Sequence, residues 1–372
     1  MTDQDQKRAG AILEIDLEAV AENWRRLSAK LAAGASCAGV VKADGYGLGA
    51  AKVGRALAKA GCRLFFVATL GEGIALRRAL PEVEIAVLNG LLPGTESDFA
   101  AYRLMPVLND LGQIANWKRF TPGLPAMVQI DTGMARLGLP TAEVARLEAS
   151  PELLAGFPLR AVMSHLACSD ERDHDLNARQ LATFEALRKK LPPAAASLAA
   201  SSGIFLGSAY HFDFVRPGAA LYGVNPTPDD LNPMVQVVHL KGKIIQTREI
   251  DRDSTVGYGA THRMDEPGRI ATVAVGYADG WLRSASNRGG FALLSGHKLP
   301  IIGRISMDLM TLDATGLDPA LCHPGAFVEL IGENGVDAVG ATAGTIGYEV
   351  LTSLGRRYHR VYKGEPMSDE PA

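Results

Sequence analysis

Short apolar runs alternate with segments of helical periodicity over the first two thirds of the chain. The apolar runs predict strands at residues 38–41, 64–69, 85–89, 104–108, 127–130, 159–165, 197–201 and 212–215. The helical segments between and before them are residues 17–31, 50–60, 73–80, 96–102, 110–120, 141–148, 175–191 and 202–208. These strands alternate poorly between apolar and polar residues, which is typical of strands covered on both faces. Eight such units predict a parallel (β/α)8 barrel, with an open doubly wound sheet as the alternative.

The pattern changes after Gly223. Pro226, Pro228 and Pro233 indicate a linker, and from Met234 onward helical periodicity stops. The strands predicted there are residues 235–250, 269–275, 291–294, 299–302, 309–313 and 327–331. We therefore expect a barrel domain over residues 11–233, a mostly β domain over 234–363 and a disordered tail over 364–372. A first strand near residues 11–15 belongs to the barrel domain or, alternatively, packs with the second domain.

Composition narrows the functional classes. The 372 residues are 47% hydrophobic and 21% charged with a net charge of −3, so we expect no attraction to nucleic acid or to an anionic membrane. No apolar run reaches the ~18 residues of a membrane-spanning helix, and residues 1–10 lack the apolar core of a signal peptide. The four cysteines are scattered, which argues against zinc and favours a cytoplasmic protein.

Polar residues collect where a barrel has its active site, at the carboxyl ends of the strands. Lys42 closes the first predicted strand, residues 131–136 follow the fifth, His165 closes the sixth, and 201–203 and 216–219 close the last two. Burial lowers the pKa of a lysine, and a neutral amine can hold an aldehyde as a Schiff base. An isolated lysine more often simply reaches solvent, but five strand ends that converge on one rim favour a site.

Two of these loops suit a phosphate group. Ser202 and Gly203 can offer a hydroxyl and an N–H at a helix start, and Gly218 and Ala219 can offer two more N–H groups. Such residues also dominate ordinary turns, so each loop alone is weak evidence. Together with Lys42, they fit pyridoxal 5'-phosphate (PLP), which carries both an aldehyde and a phosphate.

Ordered motifs across both predicted domains resemble those of the alanine racemases, PLP-dependent enzymes of fold type III. The motifs are residues 40–49, 131–138, 163–167, 215–223, 256–259, 275–280, 303–308 and 345–349. Three positions depart from the usual family pattern: Leu48 stands in place of a histidine, Gln129 in place of a lysine that is carbamylated, and Ser306 in place of a cysteine.

The resemblance implies an isomerase that interconverts L- and D-alanine through an aldimine with PLP and supplies D-alanine for peptidoglycan. It implies two catalytic bases, Lys42 and Tyr258, on opposite faces of the substrate, in a cytoplasmic homodimer whose active sites are shared between subunits. The cofactor-binding residues that it implies are Lys42, Tyr46, His165, Ser202, Arg216, Gly218, Ala219 and Tyr348. The substrate-binding residues that it implies are Arg136, Met307 and Tyr277. No metal, nucleic acid or membrane is expected to take part. The alternatives are a racemase of another small amino acid such as serine and a related amino-acid decarboxylase.

Overall fold

Two compact units make up the part of the chain that the computed structural model describes, which is residues 7–120 and 123–364. Ala19–Val235 form one unit, and the described residues before and after them form the other. Of the predicted tail, residues 365–372 lie outside the described residues. No helix within the described ranges is both long and apolar enough to cross a membrane.

Parallel strands build the unit Ala19–Val235. They are β2 (Ser36–Cys37), β3 (Gly39–Val40), β4 (Leu64–Val67), β5 (Glu84–Val87), β6 (Met105–Leu108), β7 (Ala126–Gln129), β8 (Leu159–Met163), β9 (Ala195–Ser197) and β10 (Phe214–Val215). β3 to β9 pair in sequence order, all parallel, and β10 pairs with β2. The N–H of Ala38, next to β2, donates to Val215 O at 3.0 Å, and the N–H of Arg216, next to β10, donates to Ala199 O at 2.9 Å. The last strand, β10, is therefore bonded to the start of the barrel on one side and to the segment after β9 on the other. The predicted (β/α)8 barrel is therefore confirmed.

Helices separate most of these strands, as the periodicity predicts. They are α1 (Leu17–Ala29), α2 (Ala50–Ala60), α3 (Leu70–Ala79), α4 (Glu96–Ala101), α5 (Leu111–Phe120), α6 (Thr141–Ala149) and α7 (Asp175–Arg188). The strand residues are almost all buried, with the side chains of Phe65, Phe66 and Val67 fully excluded from solvent. Burial on both faces explains why the strands lack an alternating pattern. The segment predicted as a helix at 202–208 instead forms two 3₁₀ turns, Ser202–Leu206 and Ser208–Tyr210.

An antiparallel sheet forms most of the second unit. Its strands are β11 (Val238–Ile250), β14 (Gly268–Val273), β15 (Phe291–Leu294), β16 (His297–Ile302), β17 (Met310–Asp313), β18 (Phe327–Ile331) and β19 (His359–Lys363), with a short hairpin of β12 (Thr255–Val256) and β13 (His262–Arg263) beside them. The strand β1 (Ala11–Asp16) also lies in this sheet, antiparallel to β11 and parallel to β19. β11 pairs with β14 as well as β18, so that part of the sheet closes on itself. The expected mostly β domain is confirmed.

Two helices interrupt the second unit where the sequence predicts none. They are α8 (Gly335–Ala343) and α9 (Gly347–Ser353). The prediction that helical segments stop at Met234 is therefore wrong for these residues. The side chains of α8 are small and give little hydrophobic periodicity. The backbones also approach closely, because an added Cβ at Gly340 would lie 2.9 Å from the backbone of Ile346. Close packing between the two helices, rather than an amphipathic pattern, holds this pair.

Candidate active site

Lys42 stands at the carboxyl end of the first barrel strand, at the start of an unusual turn. Residues 43–46 all have positive φ, with values of 52° at Ala43 and Asp44, 64° at Gly45 and 53° at Tyr46. Left-handed backbone costs ~1–2 kcal/mol for each residue that has a Cβ. The turn is held by short hydrogen bonds, such as Gly47 N–H to Ala43 O at 2.7 Å. The conformation of this turn sets the direction in which Lys42 projects from the barrel rim, and hydrogen bonds hold the turn in that conformation.

Cations surround Lys42 and His165. Burial lowers the pKa of Lys42, the nearby Arg136 guanidinium lowers it further, and the carboxylate of Glu72 partly opposes both. Burial, followed by the charges of Arg216, Arg136 and Lys42, lowers the pKa of His165 to about 3. His165 is therefore a neutral imidazole at physiological pH, and more of Lys42 is the free amine than for an exposed lysine.

Arg216 is buried at the end of the last barrel strand, with 4% of its surface exposed. Its guanidinium donates to the hydroxyl of Ser197, to Ser164 O at 2.6 Å and to Leu198 O at 3.4 Å. Burial lowers its pKa to about 9, so the side chain stays protonated at neutral pH. Among the described residues no carboxylate pairs with it, and none of these bonds uses Nε. Arg216 is thus held in place as a hydrogen-bond donor that keeps its proton, which is what binding to an uncharged ring nitrogen requires.

The loop that carries Arg136 is built around Asp131. The Asp131 carboxylate accepts the N–H groups of Gly133, Met134 and Ala135 at 2.9 to 3.2 Å. This nest of backbone donors turns the chain back over the strand end and leaves Arg136 exposed above it. Gln129, at the departure from the family pattern, donates its amide to Leu137 O at 3.1 Å. Its side chain therefore holds the same loop through the residue after Arg136.

The two loops predicted to bind phosphate lie together at the ends of the last two strands. Ser202 and Gly203 are buried at the start of a 3₁₀ turn, where an added Cβ at Gly203 would come within 3.0 Å of Ala199. The hydroxyl of Ser201 accepts the N–H groups of Gly218 at 3.1 Å and Ala220 at 3.2 Å. The Gly218 N–H therefore has a hydrogen-bond partner within the protein, whereas we expected it to bind a phosphate.

Tyr46 connects the lysine turn to the second of these loops. Its ring stacks on that of Tyr222 with the centroids 4.6 Å apart, and the Tyr222 hydroxyl donates to Val40 O at 3.1 Å. An added Cβ at Gly218 would lie 2.2 Å from the Tyr46 hydroxyl oxygen. The close approach explains why glycine stands at 218 and brings the Tyr46 hydroxyl to the predicted phosphate cradle.

Three predicted residues of the second unit lie on connected loops. The turn of Tyr277 is bonded to the loop of Met307: Tyr277 N–H donates to Ser306 O at 3.1 Å and Ala278 N–H to Met307 O at 2.9 Å. Tyr258 follows Val256, whose carbonyl lies against Gly303 at the start of that loop. Tyr258, Tyr277 and Met307 are 71%, 41% and 54% exposed. All three side chains therefore lie at the surface of the second unit.

Arg357 holds two of these loops in place. Its guanidinium bonds Asp279 at 3.0 Å and Asp308 at 2.7 Å, one from each loop. Tyr348 lies in α9 of the same unit and is half-buried. The structure thus groups the predicted residues into a barrel-rim set and a set on the second unit.

Four residues that shape the site were not among the predicted site residues: Glu72, Ser201, Tyr222 and Arg357. Glu72 had a recognisable signal, because Thr69 and Glu72 form the Thr-x-x-Glu pattern of a capping box, which the structure contains. Ser201 lies in the predicted strand-end loop 201–203 and Tyr222 in the motif 215–223, but nothing in their spacing showed which group they bind.

The rim residues fit PLP on their own chemistry. The set offers one lysine with a lowered pKa, a buried arginine with neutral partners, and hydroxyl and N–H donors at two adjacent loops. An aldehyde, a ring nitrogen and a phosphate would each find a suitable group there. The charges that act on His165, those of Arg216, Arg136 and Lys42, are all cationic, which suits a negatively charged cofactor.

Comparison with known proteins gives one consistent family. Residues 15–226 match the alanine racemase N-terminal domain and residues 237–362 the alanine racemase C-terminal domain. The chain is 51% identical to a catabolic alanine racemase of Mesorhizobium japonicum, over 96% of this chain and 94% of that protein. It is 50% identical to an alanine racemase of Rhodospirillum rubrum, over 96% of this chain and 97% of that protein. The crystal structure of alanine racemase from Bartonella henselae with covalently bound PLP is 42% identical, with a TM-score of 0.91 over 95% of this chain and 99% of that one.

Proposed function

The chain belongs to the alanine racemase family, and we propose that Lys42 and Tyr258 are the two bases with which it moves the Cα proton of alanine. It is a PLP-dependent isomerase that interconverts L- and D-alanine. The observation that carries the assignment of residues is Lys42, a strand-end amine whose pKa is lowered by burial and by Arg136. When bound, PLP supplies an aldehyde for the amine and an electron-withdrawing ring that acidifies the Cα–H bond of the substrate.

The barrel rim holds the cofactor at three points. Lys42 binds the aldehyde carbon, Arg216 donates a hydrogen bond to the ring nitrogen, and the hydroxyls of Ser202 and Tyr46 with the N–H of Ala219 bind the phosphate. Arg216 keeps its proton because its pKa, about 9, lies well above neutral pH. Arg216 would therefore offer the ring nitrogen a hydrogen-bond donor that does not give up its proton. His165, neutral at physiological pH, lines the ring without adding charge.

Two further residues of our proposed set complete cofactor binding. Gly218 adds its backbone to the phosphate cradle, where the absence of a side chain lets the Tyr46 hydroxyl approach. Tyr348 offers a phenol, which the family resemblance assigns to the phosphate. Both roles follow from the family resemblance, with the close approach at Gly218 and the phenol of Tyr348 as their support.

Proton transfer needs one base on each face of the substrate. Lys42 Nζ serves one face and Tyr258 Oη the other. Arg136 approaches the substrate carboxylate from its loop over the rim, and the Met307 N–H reaches the same carboxylate. Tyr277 narrows the entrance and favours a side chain as small as a methyl group.

A homodimer brings the two sets of residues together. The support is the exposure of Tyr258, Tyr277 and Met307 on connected loops, which are available to the barrel rim of a second copy. Arg357 keeps that surface ordered through Asp279 and Asp308. Each active site then takes Lys42 from one copy and Tyr258 from the other.

We place the enzyme in the cytoplasm, where its D-alanine enters peptidoglycan. The Mesorhizobium relative is named as a catabolic enzyme, so the direction of use needs its own test. Growth of a D-alanine auxotroph on the gene, without added D-alanine, supports the biosynthetic role. Growth restored only when the gene is strongly over-expressed argues against it.

Borohydride trapping tests the assignment of Lys42. The purified protein should absorb in the visible range, lose that band on reduction, and carry the pyridoxyl group on Lys42 in a peptide map. Lys52, which is partly buried like Lys42 and ten residues away, is the internal control. An adduct on Lys52, or racemisation that survives Lys42→Ala, would overturn the assignment of Lys42. The preference for alanine is measured separately, by chiral chromatography of reactions with L-alanine and with L-serine.

A further inference from the structure

One carboxylate joins the lysine turn to the neighbouring barrel strand. Glu72 Oε1 accepts the N–H of Ala43, the residue after Lys42, at 2.7 Å. Glu72 Oε2 accepts the N–H groups of Ala68 at 2.8 Å and Thr69 at 3.2 Å, just beyond β4. Both oxygens are thus fixed by backbone donors, and the Glu72 N–H donates in turn to the Thr69 hydroxyl at 3.3 Å.

The Ala43 amide is the point at which the left-handed turn begins. Ala43 and the three residues that follow have φ between 52° and 64°, so the backbone there is held in a sparsely populated conformation. Other bonds of the turn are local: Gly45 N–H donates to Val41 O, Gly49 N–H to Asp44 O, and Ala50 N–H to the Asp44 carboxylate. The bond to Glu72 instead connects it to another strand and its helix α3.

The charge of Glu72 also acts on Lys42. The groups that face the amine are Arg136 from the loop after β7, Glu72 from α3 and His165 from the end of β8, with Arg216 beside His165. Asp44 lies on the turn itself, and Tyr46 and Tyr222 stack behind it. Of these, Glu72 is the group that raises the pKa of Lys42 against burial and Arg136.

Glu72 exerts this effect without capturing the amine. No ion pair within 4.0 Å joins Lys42 to a carboxylate in the described ranges. Because three N–H groups occupy the Glu72 oxygens, the carboxylate cannot turn to bind Nζ without breaking them. A direct ion pair would hold Lys42 protonated and unreactive, whereas an anchored carboxylate leaves it available to an aldehyde.

We propose that Glu72 is a positioning residue for Lys42, which anchors the left-handed turn through the Ala43 amide and places a fixed negative charge near the amine. The proposal rests on the assignment of Lys42 as the residue that binds PLP. Glu72 lies outside the groups proposed to touch cofactor or substrate. Its hydrogen bond to Ala43 holds the turn, and its charge acts on the Lys42 amine.

Three substitutions in the full-length chain separate these effects. Glu72→Gln removes the charge and keeps one acceptor oxygen, Glu72→Asp keeps the charge but shortens the reach, and Glu72→Ala removes both. Thr69→Ala is the matched control, because it removes the other half of the capping box and leaves the Ala43 bond intact.

The first measurement is the pH dependence of Lys42 labelling. Protein freed of PLP with hydroxylamine is treated with an amine-acylating reagent, and modification of Lys42 is followed by peptide mass spectrometry. Loss of a negative charge disfavours the ammonium, so Glu72→Gln and Glu72→Ala should move the labelling midpoint to lower pH. Glu72→Asp and Thr69→Ala should leave it at the wild-type value.

The second measurement is the rate at which PLP rebinds to each protein, read from the visible band. We expect Glu72→Ala and Glu72→Asp to rebind PLP roughly tenfold more slowly, the effect of losing one hydrogen bond to a charged group. Thr69→Ala should rebind at the wild-type rate. If Glu72→Ala fails to fold, Glu72→Gln still tests the effect of the charge, and Glu72→Asp still tests the effect of the hydrogen bond that needs the longer side chain.

The outcomes distinguish this proposal from the assignment on which it rests. If borohydride places PLP elsewhere than on Lys42 in the wild-type protein, the assignment of Lys42 fails. If PLP is on Lys42 but the Glu72 variants match Thr69→Ala in both measurements, Glu72 only caps its helix and the positioning role is refuted.

Discussion

Substitution of Gly218 by alanine tests the contact between the phosphate loop and the Tyr46 hydroxyl. The new Cβ would lie 2.2 Å from that oxygen and 3.0 Å from Cζ, about 1 Å inside ordinary van der Waals contact. Gly218 has a φ of −123°, so the demand for glycine comes from this contact and not from a left-handed backbone. Either the loop or the tyrosine must therefore move.

The surroundings of Tyr46 make that movement unfavourable. Its side chain is buried and stacks on Tyr222, and Tyr222 is held in turn by its hydrogen bond to Val40 O. Overpacking of this kind typically lowers the free energy of unfolding by ~1–3 kcal/mol. For a unit of this size that corresponds to a fall of roughly 2–12 °C in the thermal midpoint. Loss of a hydrogen bond from Tyr46 to phosphate should weaken PLP binding about tenfold or more.

The assay compares Gly218→Ala with Gly71→Ala. An added Cβ at Gly71 meets nothing within 4 Å, and the residue lies in α3, where alanine is the better helix former. Thermal unfolding of the PLP-free proteins gives the packing effect, and a titration followed by visible absorbance gives the PLP dissociation constant. If Gly218→Ala keeps the thermal midpoint and PLP affinity of Gly71→Ala, the reasoning about Tyr46 is refuted.

Three further changes address the chemistry. Arg216→Glu should let the ring nitrogen of PLP gain a proton, so that racemisation slows and pyridoxamine phosphate appears by chromatography; wild-type rates with no amine form would contradict the role of the arginine. Arg136→Gln removes a cation that lowers the pKa of Lys42, so the labelling midpoint of the PLP-free protein should move to higher pH, opposite to Glu72→Gln, and an unchanged midpoint would exclude that influence. Mixed dimers of inactive Tyr258→Phe and Lys42→Ala chains should regain activity, because one of their two sites has neither lesion. Hybrids that form but stay inactive would place Tyr258 in its own chain's site.

The sequence predicted the parts of the fold that depend on burial and periodicity. Strands such as Leu64–Val67 are buried on both faces, which leaves a short apolar run that is easy to find. The strand Ala11–Asp16 was found equally well, but the same pattern could not say which sheet it would join. α8 was missed because its residues are mostly small, so its contacts come from close backbone approach and leave no amphipathic stripe.

The candidate site was predictable where chemistry and strand ends coincide. Lys42, His165 and Arg216 follow from position on the rim, whereas the left-handed turn after Lys42 could not be foreseen, since Ala43 and Asp44 seldom adopt positive φ. Glu72 escaped for a related reason. Its capping pattern with Thr69 is common at helix starts, and its second bond, to Ala43, depends on two strands being neighbours in space.

The pairing of β1 with both β11 and β19 has a consequence for synthesis on the ribosome. β1 is translated before the barrel residues and β19 after them, so the second unit cannot complete its sheet until the barrel has been translated. At ~5–20 residues per second, β1 waits for roughly tens of seconds while the barrel residues between them emerge and can fold. Ile12, Leu13 and Ile15, which the finished sheet buries, are meanwhile an unpaired apolar edge. The nascent chain should therefore depend on chaperones most strongly at β1, during the interval when the barrel is already closing.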